Sequence, residues 1–202
     1  MRTIMLYKPA GYLTARSDRT RPTVMALLPE ALQDLHPIGR LDRDTEGLLL
    51  LTDDGSLDPL LLRPEAHVEK RYFFRAFGWL DETAFAQMAA GVVLEGTGVM
   101  SLPARAWLEG YSTIGACEAL LPTKKHNHLM KNPGRPVTEG WLAIREGRKH
   151  QVKLMVKAVG GHVFTLKRVS IGGLVLDPAL SPGEYRALSD VELESLLEHI
   201  RL

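Results

Sequence analysis

The sequence has a single cysteine, no long apolar run and almost no net charge. Cys117 alone cannot form a disulfide within the chain or build a cysteine metal cluster. No apolar stretch approaches the roughly 18 residues that span a bilayer, and the opening MRTIMLYKPAG lacks the charged-then-apolar pattern of a secretory signal. These absences predict a cytoplasmic protein with no membrane partner.

Charge is unevenly distributed along the 202 residues, although the whole chain carries only +1. Between Lys124 and Lys157, nine Lys or Arg side chains stand against two Glu, a local net charge of +7 that leaves −6 for the rest. Such asymmetry indicates either one basic face that binds phosphates or an ordinary solvated surface. Charge alone leaves both interpretations open.

Apolar periodicity predicts a mixture of strands and helices rather than either alone. Strands are expected at TIMLYKP, LLLLT, RYFFRAFGWL, PARAWLE, CEALL and GWLAI. Helices are expected at DETAFAQMAAG, where Asp81 can cap the first turn, at RKHQVKLMVKAVGG, and after the capping box of Ser189 and Glu192. With no visible linker or repeat, residues 1–202 are predicted to form one α+β domain.

The stretch PTKKHNHLMKNPGRPVT, residues 122–138, has no periodicity and contains three prolines. It is predicted to be a long loop, and loops of this length in a compact domain are usually functional or mobile. Its basic side chains make it a candidate contact surface for an anion.

Acidic side chains alternate just before the most apolar run of the chain, in HPIGRLDRDTEGLLLLTDDG. Asp42, Asp44 and Glu46 are oxygen ligands of the kind that Mg²⁺ or Ca²⁺ prefers, but the glycine and glutamate of a calcium-binding loop are misplaced. The alternative is an acidic turn that solubilises a sheet edge. Because the chain lacks a phosphate-binding glycine loop and a nucleophile elbow, nucleotide hydrolases and dehydrogenases are excluded.

Five segments in order carry a resemblance to a known family. GRLDRDTEGLLLLTDDG resembles the signature of pseudouridine synthases of the RsuA type, and the other matching segments are MLYKPAGYLT, VEKRYFFRA, EGRKHQVKLMVKAVGGHVFTLKRVSIGGLVL and LSPGEYRALSDVEL. The resemblance implies an isomerase that converts uridine to pseudouridine in RNA. It also implies the family's fold, a mixed, mostly antiparallel sheet in two lobes flanked by helices, with the active site in a central cleft.

The position of the first matching segment indicates which branch of the family the chain resembles. The first motif begins at residue 3, so we expect no N-terminal S4-type RNA-binding module. The chain is therefore most similar to the short E-type synthases, which modify large-subunit (23S) rRNA. The alternatives are the same reaction on 16S rRNA or tRNA, or a non-catalytic RNA-binding protein of ribosome assembly. The resemblance implies a monomer whose partner is ribosomal RNA and which needs no metal or organic cofactor.

The resemblance also assigns roles to individual residues. Asp42 matches the catalytic aspartate, Tyr72 the active-site tyrosine, and Lys153 stands where many members have an arginine that keeps the aspartate charged. Asp44 and Glu46 are expected to orient the Asp42 loop, and Leu48 to Leu51 to be core. The expected RNA contacts are Arg40, Lys124, Lys125, Lys131, Arg135, Arg148 and Lys149, with Lys8 and Arg16 adding to that surface.

Overall fold

The computed structural model describes residues 2–63 and 66–201, and the chain divides into two compact units. Unit 1 comprises Met1–Lys70 and Lys167–Leu202, and unit 2 comprises Arg71–Leu166. Residues 1, 64, 65 and 202 of the predicted single domain lie outside the described residues. None of the described helices is long and apolar enough to cross a membrane.

The strands and helices follow one another in mixed order along the chain. The strands are β1 (Thr3–Lys8), β2 (His36–Ile38), β3 (Glu46–Thr52), β4 (Lys70–Phe77), β5 (Val93–Leu94), β6 (Val99–Met100), β7 (Arg105–Thr113), β8 (Pro136–Ile144), β9 (His162–Ile171), β10 (Leu174–Val175) and β11 (Tyr185–Ala187). The α-helices are α1 (Leu57–Leu62), α2 (Glu82–Ala90), α3 (His126–Leu129), α4 (Gln151–Ala158) and α5 (Asp190–Arg201). Short 3-10 helices occupy Val24–Leu27, Glu30–Leu32, Glu118–Leu120 and Thr123–Lys125.

Unit 1 is built around β1 and β3, which pair antiparallel over the full length of β1. The strand order is β11-β1-β3-β9, with β2 beside β3 and β10 beside β9. Only the β3–β9 pair among these is parallel. Leu48 to Leu51 are fully buried, as the continuous apolar run predicts, and Leu48 and Leu50 pack in one core with Met5, Leu61 and Leu196 of other elements.

Unit 2 has the strand order β4-β8-β7, with helix α2 packed against it. Phe74 of β4 and Phe85 of α2 stack with their ring centroids 6.2 Å apart. Gly140 of β8 leaves room for both rings, because a Cβ at this position would lie 2.7 Å from Phe85 and 2.8 Å from Phe74. The absence of a side chain at residue 140 therefore allows the helix to approach the sheet.

Two helix predictions based on capping residues are confirmed. Asp81 accepts a hydrogen bond from the Ala84 amide at the start of α2, and Gly91 ends this helix with a φ of +102°. The Ser189 amide donates to Glu192 and the Glu192 amide donates to Ser189 Oγ, which is the reciprocal pair of a capping box at α5.

The predicted strand at CEALL is wrong. Glu118–Leu120 is a 3-10 helix whose three residues are exposed, whereas Cys117 and Leu121 are buried. A spacing of four between buried residues is the period of a helical turn, whereas a strand would also have buried residue 119.

The prediction of one long loop over residues 122–138 is also wrong in part. The segment contains the Thr123–Lys125 turn and α3, and β8 already begins at Pro136. Leu129 of α3 is buried in a cluster with Leu121 and Val137. This segment therefore contributes to the core of unit 2 as well as to its surface.

Candidate active site

Asp42 lies in residues 39–45, the loop that joins β2 to β3 in unit 1. Its side chain is half-buried, whereas the neighbouring Leu41 and Thr45 are buried. The Thr45 amide donates to the Asp42 carbonyl at 3.1 Å, which closes a turn around the carboxylate. The loop therefore presents Asp42 from an anchored backbone.

Lys8, the last residue of β1, is fully buried beneath this loop. Its Nζ donates to the carbonyl oxygens of Pro9 at 3.0 Å, Arg43 at 3.3 Å and Thr45 at 2.8 Å. A buried ammonium needs such partners, because an unsatisfied charge in the interior is very costly. Lys8 thereby fixes the backbone on the C-terminal side of Asp42.

Thr14 and Gly11 hold the loop from its outer side. Thr14 Oγ1 donates to the Leu41 carbonyl at 2.9 Å and accepts from the Leu41 amide at 3.1 Å. The Gly11 amide donates to the Arg43 carbonyl at 2.7 Å, and Arg43 Nε donates to the Gly11 carbonyl at 3.0 Å. Both chain neighbours of Asp42 are thus tied to the segment that follows β1.

Gly47 and Arg168 determine where β3 begins after the loop. Gly47 has a φ of +104°, and a Cβ there would lie 2.1 Å from the Arg168 carbonyl oxygen. The two residues face each other in the parallel β3–β9 pair, and Arg168 Nε donates to the Leu48 carbonyl at 2.9 Å. No residue with a side chain fits at position 47 without separating the strands.

Lys70 and Arg168 form a buried cationic pair in unit 1. Lys70 is only 8% exposed and its Nζ donates to the Val68 carbonyl at 2.9 Å. Burial lowers the pKa of Lys70 to about 8, and the positive charge of Arg168 adds to the shift. One terminal guanidinium nitrogen of Arg168 is buried with no hydrogen-bond partner among the described residues.

Tyr72 and Lys153 belong to unit 2. Tyr72 is 9% exposed and lies on the buried face of β4, the face that also carries Phe74 and Ala76. Lys153 is half-buried in the first turn of α4. Strand alternation places the tyrosine ring inward, which is compatible with both a core and a catalytic role.

A buried carboxylate shapes the start of the helix that carries Lys153. Glu146 accepts hydrogen bonds from the Leu102 amide at 2.8 Å, from Arg148 Nε at 2.9 Å and from Gln151 Nε2. Gln151 Oε1 in turn accepts from the Arg148 amide at 2.9 Å, and His150 takes a left-handed φ of +57°. This network fixes where α4 begins and so fixes the position of Lys153.

Comparison with known proteins identifies the family. The sequence model described as RNA pseudouridylate synthase matches residues 2–158. The chain belongs to the RNA pseudouridylate synthase family. It is 41% identical over 197 residues to an uncharacterized RNA pseudouridine synthase of Bacillus subtilis, an alignment that covers 96% of this chain and 73% of that protein.

Two further likenesses support the same assignment. Ribosomal small subunit pseudouridine synthase A of Escherichia coli is 38% identical, over 97% of this chain and 74% of its own length. A crystal structure of a pseudouridylate synthase superposes with a TM-score of 0.79 at 34% identity and covers 96% of this chain and 73% of that one. The chain is thus an RNA pseudouridine synthase with that family's α+β fold, and it is an RsuA-like member. The expected assignment to the E-type branch, which modifies 23S rRNA, is not confirmed.

The catalytic residues predicted for the synthase are divided between its units. Asp42 lies in unit 1, whereas Tyr72 and Lys153 lie in unit 2, and their convergence in one cleft stays a prediction of the resemblance. For the alternative of a metal site, the described residues contain no group of three or more His, Cys, Asp or Glu side chains placed to hold an ion. Of the two carboxylates expected to orient the loop, Glu46 accepts a hydrogen bond from the Tyr7 hydroxyl at 3.4 Å.

The side chains predicted to contact RNA are all exposed: Arg40, Lys124, Lys125, Lys131, Arg135, Arg148 and Lys149. Arg148 also serves the Glu146 network, and Lys149 lies before α4, although the predicted helix RKHQVKLMVKAVGG included it. The assignment of Lys8 to the same surface is wrong, because that side chain is buried under the Asp42 loop. Arg16 is exposed and donates to the Gln33 carbonyl at 3.1 Å.

The sequence analysis did not identify Lys8 and Thr14 as supports of the Asp42 loop. A usable signal was present for Lys8, because strand alternation places it on the face of Ile4 and Leu6, both buried. A lysine on the apolar face of a strand predicts a satisfied internal cation. Thr14 gave no such signal, since its partner Leu41 lies 27 residues away.

Proposed function

We propose that this synthase isomerises a specific uridine of ribosomal RNA with Asp42 as the catalytic carboxylate, and that small-subunit (16S) rRNA is the substrate. The observation that carries the choice of RNA is the 38% identity, over 97% of this chain, to an enzyme named ribosomal small subunit pseudouridine synthase A. The choice of Asp42 rests on its loop, in which buried Lys8 and Thr14 hold both chain neighbours of one carboxylate.

The reaction detaches uracil from the ribose by breaking the N1–C1′ bond and rejoins it through C5. The C5 proton is lost and N1 gains one, so that no net redox change occurs. A carboxylate beside C1′ or C6 must stay ionised to act as nucleophile or base, and a neighbouring cation favours that form. We assign Asp42 the first role and Lys153 the second.

Tyr72 is assigned to the target base. Its ring offers a stacking surface, and its hydroxyl can assist in moving the C5 proton. The uridine must leave its stack to reach these groups, at a cost of a few kcal/mol. Contacts to RNA phosphates from the exposed cations of unit 2, with Arg40 beside the extruded nucleotide, would offset that cost.

Large-subunit (23S) rRNA is the second candidate substrate. It is favoured by the basic, proline-containing segment followed by GWLAIREGRKHQVK, which resembles the E-type branch. In either case the proposal places the enzyme in the cytoplasm, where rRNA is assembled, and requires a monomer only.

The test maps pseudouridine in both ribosomal RNAs of a deletion strain and its parent. We expect one pseudouridine to disappear from 16S rRNA and to return with a plasmid copy of the wild-type gene. A copy encoding Asp42→Asn should not restore it. Loss from 23S rRNA instead would establish the second candidate, and restoration by Asp42→Asn would show that Asp42 is not the catalytic carboxylate.

A further inference from the structure

Trp79 is the most exposed tryptophan of the described residues, with 62% of its surface accessible. Its indole stacks on the ring of Tyr111, with centroids 3.8 Å apart and planes within 6°. Tyr111 is held in turn, because its hydroxyl donates to the Leu80 carbonyl at 2.8 Å. Since Tyr111 covers one face of the indole, the accessible surface of Trp79 comes from the other face and the edges.

The backbone around Trp79 is fixed on both sides by buried Thr138. The Thr138 hydroxyl donates to the Gly78 carbonyl at 2.8 Å and accepts from the Leu80 amide at 3.0 Å. The Gly78 amide donates to the Pro136 carbonyl at 3.2 Å. A large aromatic surface on a fixed backbone loses little conformational freedom when a partner binds to it.

The segment that connects β7 to β8 at this end of the pair is basic. Thr113 and Pro136 face each other where the two strands are joined, and Tyr111 lies two pairs further in, opposite Thr138. The connection, residues 114–135, carries exposed Lys124, Lys125, Lys131 and Arg135, and its single acidic residue, Glu118, lies 3.2 Å from His126. The Arg135 guanidinium lies 5.9 Å from the ring of Phe77, two residues before Trp79.

We propose that the Trp79–Tyr111 stack binds one unpaired nucleobase of the RNA while the cations of residues 114–135 hold the adjoining phosphates. The inference rests on the proposed function for the identity of the partner as RNA. Aromatic side chains beside cationic grooves bind single strands by this combination, since every base has a π-face. A flat two-ring patch beside a basic connection is too small and too charged for a stable interface with a second copy of the chain.

A second aromatic group in unit 2 fits this role less well. Trp107 and Trp141 lie with parallel rings on β7 and β8, 5.9 Å apart, and both are half-buried. The Trp141 indole nitrogen donates to Glu109 at 2.7 Å, which places a carboxylate beside the rings. A nucleotide there would bring its phosphates close to a negative charge.

The affinity test compares Trp79→Leu with Trp79→Phe, because leucine keeps an apolar side chain and phenylalanine keeps a ring. Binding of an eight-nucleotide oligouridylate is measured from low to moderate salt. Loss of one stacked base should raise the dissociation constant roughly 5- to 150-fold for Trp79→Leu. Trp79→Phe should retain most of the affinity. The slope of affinity against salt should not change, because the substitution removes no cation that binds a phosphate.

The fluorescence test reports on Trp79 directly. In a Trp107→Phe/Trp141→Phe background Trp79 is the single tryptophan, and the same oligouridylate should quench its emission, whereas duplex RNA of equal length should not. Wild-type affinity of Trp79→Leu would overturn the proposal, as would a shift from dimer to monomer on Trp79→Leu with RNA affinity unchanged. If quenching and weakening occur but the wild type releases no tritium from 5-tritiated uridine in either rRNA, the proposed function fails and the stacking site stands.

Discussion

Unit 1, which carries Asp42, has three buried cations that donate to backbone carbonyls: Lys8, Lys70 and Arg168. In the unit that carries Tyr72, the cations between residues 124 and 149 are exposed to solvent. The buried cations act at short range and in one geometry, because each hydrogen bond fixes a particular peptide. The exposed cations are proposed to act through charge, so that any of several side chains would serve to bind an RNA phosphate.

The difference separates two needs of the enzyme. Chemistry at one carboxylate requires the Asp42 loop to stay in place to within a fraction of an ångström. Capture of a long polyanion requires positive charge within reach, and its strength depends on how many phosphates are neutralised. A buried cation therefore supports the backbone, whereas an exposed cation is available for the RNA contacts of the proposed function.

The largest effect is expected from Asp42→Asn, which keeps the anchored loop and removes only its ionisable group. Turnover should fall by roughly a thousandfold or more, as for other catalytic side chains that act as a unit, while RNA affinity and the unfolding midpoint stay near wild type. Tritium release from 5-tritiated uridine in rRNA measures the loss. Near-normal turnover would remove Asp42 from the reaction.

Lys8→Met should remove the hydrogen bonds that support the Asp42 loop. Three carbonyls lose their Nζ donor, and we expect the free energy of unfolding to fall by about 3 kcal/mol, together with a lower kcat. Urea unfolding measures the first effect. Lys124→Met is the matched control, since that exposed side chain should change stability by less than about 0.5 kcal/mol. Equal losses for the two variants would contradict the comparison of buried and exposed cations.

Lys70→Met tests a buried cation through pH. Its pKa is lowered from 10.5 to about 8 in the folded protein, so between these values the unfolded chain binds the extra proton and the folded one does not. Stability therefore rises with pH through this window, by up to roughly 3 kcal/mol relative to a variant without the group. The difference in unfolding free energy between wild type and Lys70→Met should grow in favour of the wild type from pH 8 to 10.5. A constant difference would mean that the folded lysine keeps its ordinary pKa.

Leu129→Ala sharpens the comparison within the basic connection itself. Loss of a buried leucine side chain in the cluster with Leu121 and Val137 should lower the free energy of unfolding by about 2 kcal/mol. The salt dependence of RNA binding should be unchanged. Thermal unfolding measures the stability, and RNA titrations at several salt concentrations measure the salt dependence. An unaltered melting temperature would mean that the segment adds nothing to the core.

The smallest effect on stability is expected from replacing Lys124, Lys125, Lys131 and Arg135 by alanine together. The unfolding free energy should change by less than about 0.5 kcal/mol. RNA affinity should weaken, and its log–log salt dependence should flatten by roughly 0.7 to 0.9 for each phosphate that is no longer bound. An unchanged slope would assign RNA binding to other cations of the chain.

Features governed by local chemistry were predictable from the sequence. The caps of α2 and α5 depend on residues three positions apart, and the burial of Leu48 to Leu51 follows from a continuous apolar run. CEALL failed because a short apolar segment fits a strand and a helical turn equally well. Its spacing of buried residues became visible only once Cys117 and Leu121 were seen in the same cluster.

The site itself was predictable only in part. Motif resemblance gave Asp42, Tyr72 and Lys153, and these assignments stay predictions. Strand alternation indicated that Lys8 is internal, but the partners of Lys8 and Thr14 could not be predicted, because Lys8 and Thr45 lie 37 residues apart and Thr14 and Leu41 lie 27 apart. Lys8 was nevertheless predicted to lie on the surface with the other cations, and only the structure shows that its charge is satisfied by internal carbonyls.

The parallel pairing of β3 with β9 has a consequence for the order of events during protein synthesis. Arg168 bonds to the Leu48 carbonyl across 120 residues of sequence. At a translation rate of about 5 to 20 residues per second, the Asp42 loop waits roughly ten seconds before the strand that completes its support is made. Until then β3 has an open edge beside Gly47. Contacts of such long sequence separation form late, so the nascent chain carries Asp42 well before the fold that supports its loop is complete.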